Sequence, residues 1–340
     1  MTASAALGRV PNGDDFRIAV RDRPYLAGSS HPGFPETVPA VGEMIPLLEA
    51  DGPASASAVR AAVDAALPEH GGVLLRGLPL ADREDFGHLV EGLGYDRAGY
   101  TGGIAVRENN AGAALNASEE DPRITLSPHN EMSYLPDPPR GIFFFCAAAA
   151  VEGGEVPVND VRATAKAIPG EVLEEFRARG VMYHRNLPRE SGAGQKGWVD
   201  VFGTGDRDAV ERRLGELGYR CRWVGDRLQY SYSRPAFAPH PETGEELWFN
   251  QVTELHCSYW RSHPHFPGDL PDHAYPATTA YGDGGAIDDD LVSFLRGALW
   301  RTARAVRMRR GDVLALDNRV LQHGRFAYEG HRRHYVALTR

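Results

Sequence analysis

The sequence predicts a mainly β protein with flanking helices, a double-stranded β-helix of the jelly-roll or cupin type. Three observations predict it. Short apolar and aromatic runs bounded by turn residues recur along the chain, the pattern of many short strands. With 38 Gly and 24 Pro in 340 residues, the composition suits frequent turns better than a helical bundle. Several helical segments flank the strand runs, as in double sheets that carry helical insertions.

In chain order, residues 1–55 are rich in Pro and Gly with weak periodicity, and read as an extended arm that wraps the core. SASAVRAAVDAAL (55–67) opens on Ser caps and is Ala-rich, so it reads as a helix. GGVLLRGLPL follows as a buried strand, and DREDFGHLVEGLG as a second helix closed by Gly. Residues 97–127 are polar, rich in Gly and Asn, and without a period. A loop of this length is usually functional, and it runs directly into His129, so it is expected to be a lid.

GIFFFCAAAA (141–150) fits a buried strand better than a helix because of its aromatic content. GGEVPVND turns into another strand. VRATAKAI, GEVLEEFRARG and RDAVERRLGELG read as helices, and residues 220–260 as short strands. DDDLVSFLRGALWRTARAV is a long helix with an acidic start, favourable to the helix dipole. GDVLALDN, RVLQHGRF and HRRHYVALTR read as three closing strands. With neither an internal repeat nor a low-complexity linker, residues 1–340 are read as one domain.

Bulk properties exclude several classes of function. The chain is 42% hydrophobic, enough for a sizeable core. Its net charge is -9, and the densest basic run, VRMRRGD around Arg310, is short and reads as a solvated strand edge. Nucleic acid is therefore not an expected partner, since phosphate contacts need clustered Lys and Arg. Three scattered cysteines without CxxC spacing argue against a disulfide framework and a structural zinc site. Cys146, inside IFFFC, is expected to be a buried small hydrophobe. No apolar stretch with a cleavage site opens the chain, and no segment approaches the ~18 apolar residues of a membrane span. A soluble, cytoplasmic protein with no membrane partner is expected.

The chemistry-bearing set is His129-x-Glu131 with His323 far downstream and Arg333 ten residues later. Two imidazoles and a carboxylate on one face of a ferrous ion leave three coordination positions open for oxygen chemistry. An isolated His-x-Glu is weak evidence, and a second one, His240-Pro241-Glu242, lies in a Pro/Gly turn and reads as surface. His129-Asn130-Glu131 precedes the strand-forming stretch MSYLP. In an extended segment, residues two apart project from one face, so both side chains would reach one ion. His323 lies in an apolar segment that turns at Asp317-Asn318 and again at Gly324. A strand out and a strand back, at ~3.3 Å per residue, would return Arg333 to its neighbourhood. Alternation points one of Arg332 and Arg333 inward without deciding which. His256, His263 and His265 read as a substrate-facing or surface loop.

SPHNEMSYLPDPPRGIFFFC, GGEVPVND, HPETGEELWFNQ and LDNRVLQHGRFAYEGHRRHYVAL together resemble the taurine dioxygenase/clavaminate synthase-like superfamily. The resemblance runs from about residue 70 to the C-terminus, and its nearest flavour is the branch of syringomycin-cluster-type amino-acid hydroxylases. It implies a clavaminate synthase-like double-stranded β-helix that uses Fe(II), 2-oxoglutarate and O2. Carried over residue by residue, His129, Glu131 and His323 would bind iron. Arg333, the second Arg of the pair, would bind the distal carboxylate of 2-oxoglutarate. Val156 stands where the family places a Thr hydroxyl on that co-substrate, a loss of about 0.5–1.5 kcal/mol for one neutral hydrogen bond. Ala337 stands where taurine-type enzymes have a further Arg, which argues against a sulfonate substrate. Glu131 argues against halogenation, because halogenating relatives have a small residue there. Hydroxylation, desaturation, epoxidation and cyclisation stay open.

The expected substrate is amino-acid-like, free or tethered to a peptidyl carrier protein, in natural-product biosynthesis. Arg107, Tyr134, Asn250, Gln251 and Arg325 are the candidate substrate-facing residues. Two rival classes are a zinc hydrolase, which also uses two His and one Glu with an open position, and a non-catalytic jelly-roll binding module. The first predicts hydrolysis without succinate, the second metal-independent binding.

Overall fold

The computed structural model describes residues 7–100, 103, 114–117, 120–192 and 194–340. Its centre is a pair of facing sheets. The larger has seven strands in the order Leu7–Val10, Leu47–Ala50, Gly72–Arg76, Val313–Asp317, Gly141–Ala148, Arg333–Thr339 and Leu115–Asn116. All neighbours are antiparallel except Leu47–Ala50 beside Gly72–Arg76. The smaller has four antiparallel strands, Arg304–Val306, Val156–Asp160, Leu321–Arg325 and Leu126–His129. This is the jelly-roll architecture expected from the run of short strands.

Gly141–Ala148 shows why IFFFC is continuously apolar. Successive side chains alternate between the faces of a strand. Ile142, Phe144 and Cys146 face the main core that fills the space between the sheets. Phe143 and Phe145 face a second core formed with the helices Ala56–His70 and Arg83–Leu93. Burial of each such phenyl contributes on the order of 1.5–3 kcal/mol. Cys146 is fully buried, and that burial pushes its thiol up to about 12.

The helices begin and end where their capping residues direct. Ser55 Oγ accepts from the Ala58 N–H at 3.2 Å, and Gly71 closes the first helix at φ 69°. Asp82 accepts from the N–H groups of Glu84 and Asp85, and Asp288 from those of Asp290 and Leu291. Such caps satisfy amide groups that have no intrahelical partner.

The N-terminal segment differs from the expected wrapping arm. Leu7–Val10 and Leu47–Ala50 are strands of the large sheet itself, because their backbone bonds extend its open edge. The 97–127 segment also contributes a strand, Leu115–Asn116, to the other edge. A third, four-stranded sheet, Arg220–Val224, Arg227–Arg234, Val181–Leu187 and Ala277–Tyr281, packs into the main core. No helix among the described residues is long and apolar enough to cross a membrane.

Candidate active site

His129 ends the strand Leu126–His129, and His323 lies directly opposite it in Leu321–Arg325. Opposed residues of an antiparallel pair put their side chains on one face. The two imidazole centroids are accordingly 4.7 Å apart. Glu131 reaches them by a different route from the extended alternation expected from the sequence. The strand stops at His129 and the chain turns, with Met132 in the left-handed region at φ 56°. Asn318, fully buried in the turn before Leu321–Arg325, holds that turn. Its Oδ1 accepts from the Glu131 N–H at 2.7 Å, and its Nδ2 donates to the carbonyls of Glu131 and Pro139 at 3.0 and 2.7 Å. Gln251 Nε2 donates to the Asn130 carbonyl at 2.6 Å.

Glu131 Oε2 then lies 3.5 Å from His323 Nε2, and the ligand atoms of His129, Glu131 and His323 are within 4.8 Å of one another. His129 Nδ1 is 2.9 Å from the Ser127 carbonyl, so it donates there and keeps Nε2 as a lone-pair donor. Burial, and then the nearby His323, lower the His129 pKa, which keeps the imidazole neutral as ligation requires. Two neutral imidazoles and one carboxylate, gathered at one wall of a cavity, fit a ferrous ion with open positions.

The cavity has a volume of about 470 Å³. The triad, Phe144 and Val156 line one region, and Tyr100, Tyr134, Tyr259 and Trp260 supply aromatic walls. Val156 is buried opposite Val306, so an apolar surface stands where the family motif carries a hydroxyl.

Alternation left the arginine pair open, and the resemblance implied Arg333 as the anchor. Arg333 is exposed and does not line the cavity, whereas Arg332 lines it. The physical reason is alternation: Arg332 and His334 line the cavity on the face that Val336 and Leu338 turn to the main core, while Tyr335 and Ala337 face the second core. Arg332 Nε donates to the Gly154 carbonyl at 3.1 Å, and a terminal nitrogen donates to His334 Nδ1 at 3.0 Å. Burial and then the nearby Arg325 lower its pKa to about 10.

The remaining substrate candidates divide. Tyr134, Gln251 and Arg325 line the cavity. Arg325 donates to the carbonyls of Glu120, Asp121 and Ile124 at 2.9, 2.7 and 3.1 Å, so much of its bonding capacity secures that segment. Asn250 is a correction. It does not line the cavity, because its amide donates to the Ala236 carbonyl at 2.9 Å and its Oδ1 accepts from the Val252 N–H at 3.1 Å. Arg107 lies outside the described residues. The described parts of 97–127 include seven cavity residues, Tyr100, Ala117, Glu120, Asp121, Pro122, Leu126 and Ser127.

Glu254 was not visible as a site residue in the sequence, yet it lines the cavity. Its carboxylate accepts from the Thr253 hydroxyl, and burial raises its pKa. The signal was its place three residues after Gln251, just past the motif-bearing segment HPETGEELWFNQ. The rival His240-Pro241-Glu242 forms the turn between the paired strands Phe237–Pro239 and Glu246–Trp248. His240 Nδ1 accepts there from the N–H groups of Glu242 and Thr243. His256, Cys257 and Asp289 form a second cluster of ligand-type atoms. Arg261 is bonded to its carboxylate at 2.5 Å and Arg296 is close by, and two guanidiniums oppose a cation there.

Residues 39–339 match the model of the taurine catabolism dioxygenase TauD, TfdA family. The chain is 30% identical over 279 residues to the dapdiamide synthesis protein DdaC of Enterobacter agglomerans, covering 81% of this chain and 84% of that one. It is 29% identical over 286 residues to a clavaminate synthase-like protein of Arabidopsis thaliana, covering 82% and 84%. The crystal structure of PvcB from Pseudomonas aeruginosa shares the fold, with a TM-score of 0.51 at 17% identity, over 97% of this chain and 92% of that chain. The jelly roll, its triad and the family match over most of the length agree. The chain belongs to the TauD/TfdA family and is a dioxygenase that uses Fe(II), 2-oxoglutarate and O2.

Proposed function

We propose that His129, Glu131 and His323 hold the iron, that Arg332 anchors the distal carboxylate of 2-oxoglutarate, and that the enzyme hydroxylates a C–H bond of a small amino-acid-like molecule. The observation that carries this reading is the convergence of three ligand atoms within 4.8 Å at the wall of a cavity that Arg332 also lines. The bound iron and 2-oxoglutarate supply the oxidising power, with O2 as oxidant and succinate and CO2 as co-products. The chain's own residues do the rest. Asn318 and Gln251 orient the Glu131 turn, and the Ser127 carbonyl orients the His129 ring. Arg332 meets a carboxylate through a charge-assisted hydrogen bond, with the Gly154 carbonyl and His334 holding its side chain. The aromatic walls exclude water and leave an apolar surface for a substrate carbon.

A role in natural-product assembly is supported by kinship with a protein named for dapdiamide synthesis. Three free cysteines suit a reducing cytoplasm.

Anaerobic titration with Fe(II) and 2-oxoglutarate tests the assignment. The expected result is a weak visible charge-transfer band that needs both components. It disappears in His323→Ala, and His129→Ala and Glu131→Ala form no succinate while remaining folded. A folded parent protein without the band, or succinate formation in both of those variants, overturns the reading.

A further inference from the structure

Arg185 is 3% exposed, yet no described residue hydrogen-bonds or ion-pairs with its guanidinium, and its Nε is buried without an acceptor. The other two buried arginines among the described residues have partners through their terminal nitrogens, although the Nε of Arg325 is also buried without an acceptor. Arg296 donates to Ser258 and to the Thr253 carbonyl, and Arg325 to three carbonyls. A desolvated cation without a partner is costly to the fold. Such a charge persists where a ligand completes it.

Arg185 is not itself a lining residue of the cavity, and its position is tied to the wall through its neighbours. In Val181–Leu187, alternation puts Val181, Tyr183 and Arg185 on one buried face. Tyr183 packs edge-on against Tyr134 at 6.3 Å, and its hydroxyl accepts from the Gln251 N–H at 3.1 Å. Tyr134 and Gln251 both line the cavity. The guanidinium is close enough to Tyr134 to act on its phenol, against the effect of burial. Arg332 is a separate cation, held by Gly154 and His334.

We propose that Arg185, with Tyr134 at the wall, is the specificity-determining anchor for a carboxylate of the substrate. A planar guanidinium matches a carboxylate with two parallel hydrogen bonds, which a neutral amide does not reproduce. The proposal rests on the reading of this cavity as the substrate site. The charge-transfer band tests that reading separately, so the two can fail independently.

The test uses the full chain loaded with Mn(II) and saturating 2-oxoglutarate, so that the co-substrate site is filled. The probes are 3-phenylpropionate and its neutral amide, read by thermal unfolding and by direct titration. The carboxylate is expected to raise the unfolding midpoint, with the amide about ten- to a hundredfold weaker. In Arg185→Met the carboxylate effect disappears, and the probe-free midpoint equals or exceeds that of the parent. Arg185→Lys keeps part of the response. Equal effects of acid and amide, no carboxylate effect in the parent, or a response that survives in Arg185→Met would each overturn the proposal. So would Arg185→Met and Arg185→Lys both unfolding below the parent, because Arg185 would then be a structural residue.

Discussion

At the scale of single residues, the Arg332–Arg333 pair separates position from identity. Both are arginines in a strand-forming run, but Arg332 lines the cavity and Arg333 is exposed. A charge-assisted hydrogen bond to a carboxylate contributes about 1.5–3 kcal/mol. Arg332→Ala should therefore raise the KM for 2-oxoglutarate about ten- to a hundredfold, and Arg333→Ala should leave it within a few fold of the parent. Succinate formation against 2-oxoglutarate concentration measures both. The reverse order of effects would return the anchor to Arg333. Val156 acts at the same scale: its side chain offers no hydroxyl, so under the proposed assignment the cationic anchor and the metal chelate would carry co-substrate binding.

Between elements, the triad depends on two strands held at one spacing. Gly324 lies next to His323 where the small sheet is most crowded. A Cβ at Gly324 would sit 2.2 Å from the Leu126 carbonyl oxygen and 3.0 Å from a Pro157 side-chain carbon. Gly324→Ala must therefore separate Leu321–Arg325 from Leu126–His129, the pair that opposes His323 to His129. Destabilisation of about 1–3 kcal/mol is expected, as for other overpacked sites, together with weaker Fe(II) binding. Denaturant unfolding and metal titration measure the two effects. Parent-like values in both would show that the strands tolerate the insertion and that the triad does not need this spacing.

At the scale of the whole molecule, burial makes the stability pH-dependent. His256 is 3% exposed and accepts from the Ser258 N–H at a helix start. Burial, and next the Arg296 charge, lower its pKa from 6.5 to about 4. The unfolded chain therefore binds this proton more readily than the folded one between those values. Its contribution is fully present above pH 6.5 and is lost as the pH falls towards about 4, a change of about 3 kcal/mol. His256→Asn, which can still cap the helix, should flatten the fall in stability between pH 6.5 and pH 4. An unchanged acid limb in the unfolding curve would remove His256 as its source.

What the sequence determined by itself is the part that depends on residue type and periodicity. Alternating and continuous apolar runs marked the strands, Ser and Asp caps marked the helix starts, and two imidazoles with one carboxylate marked a metal chemistry. Those signals are local, or they lie in the identity of the side chains. Tertiary structure decided what depends on register and turns. The face of the last strand that meets the cavity, shared by Arg332, His334, Val336 and Leu338, chose which arginine lines it. The Asn318 brace, rather than strand alternation, brought Glu131 to the imidazoles. Pairing of distant strands placed Asn250 in a backbone brace and Arg185, without a hydrogen-bond partner among the described residues, on the buried strand face that also carries Tyr183. Side-chain direction at a bulge or turn is set by the backbone of neighbouring elements, often more than a hundred residues away in the chain, and no short-range pattern encodes it.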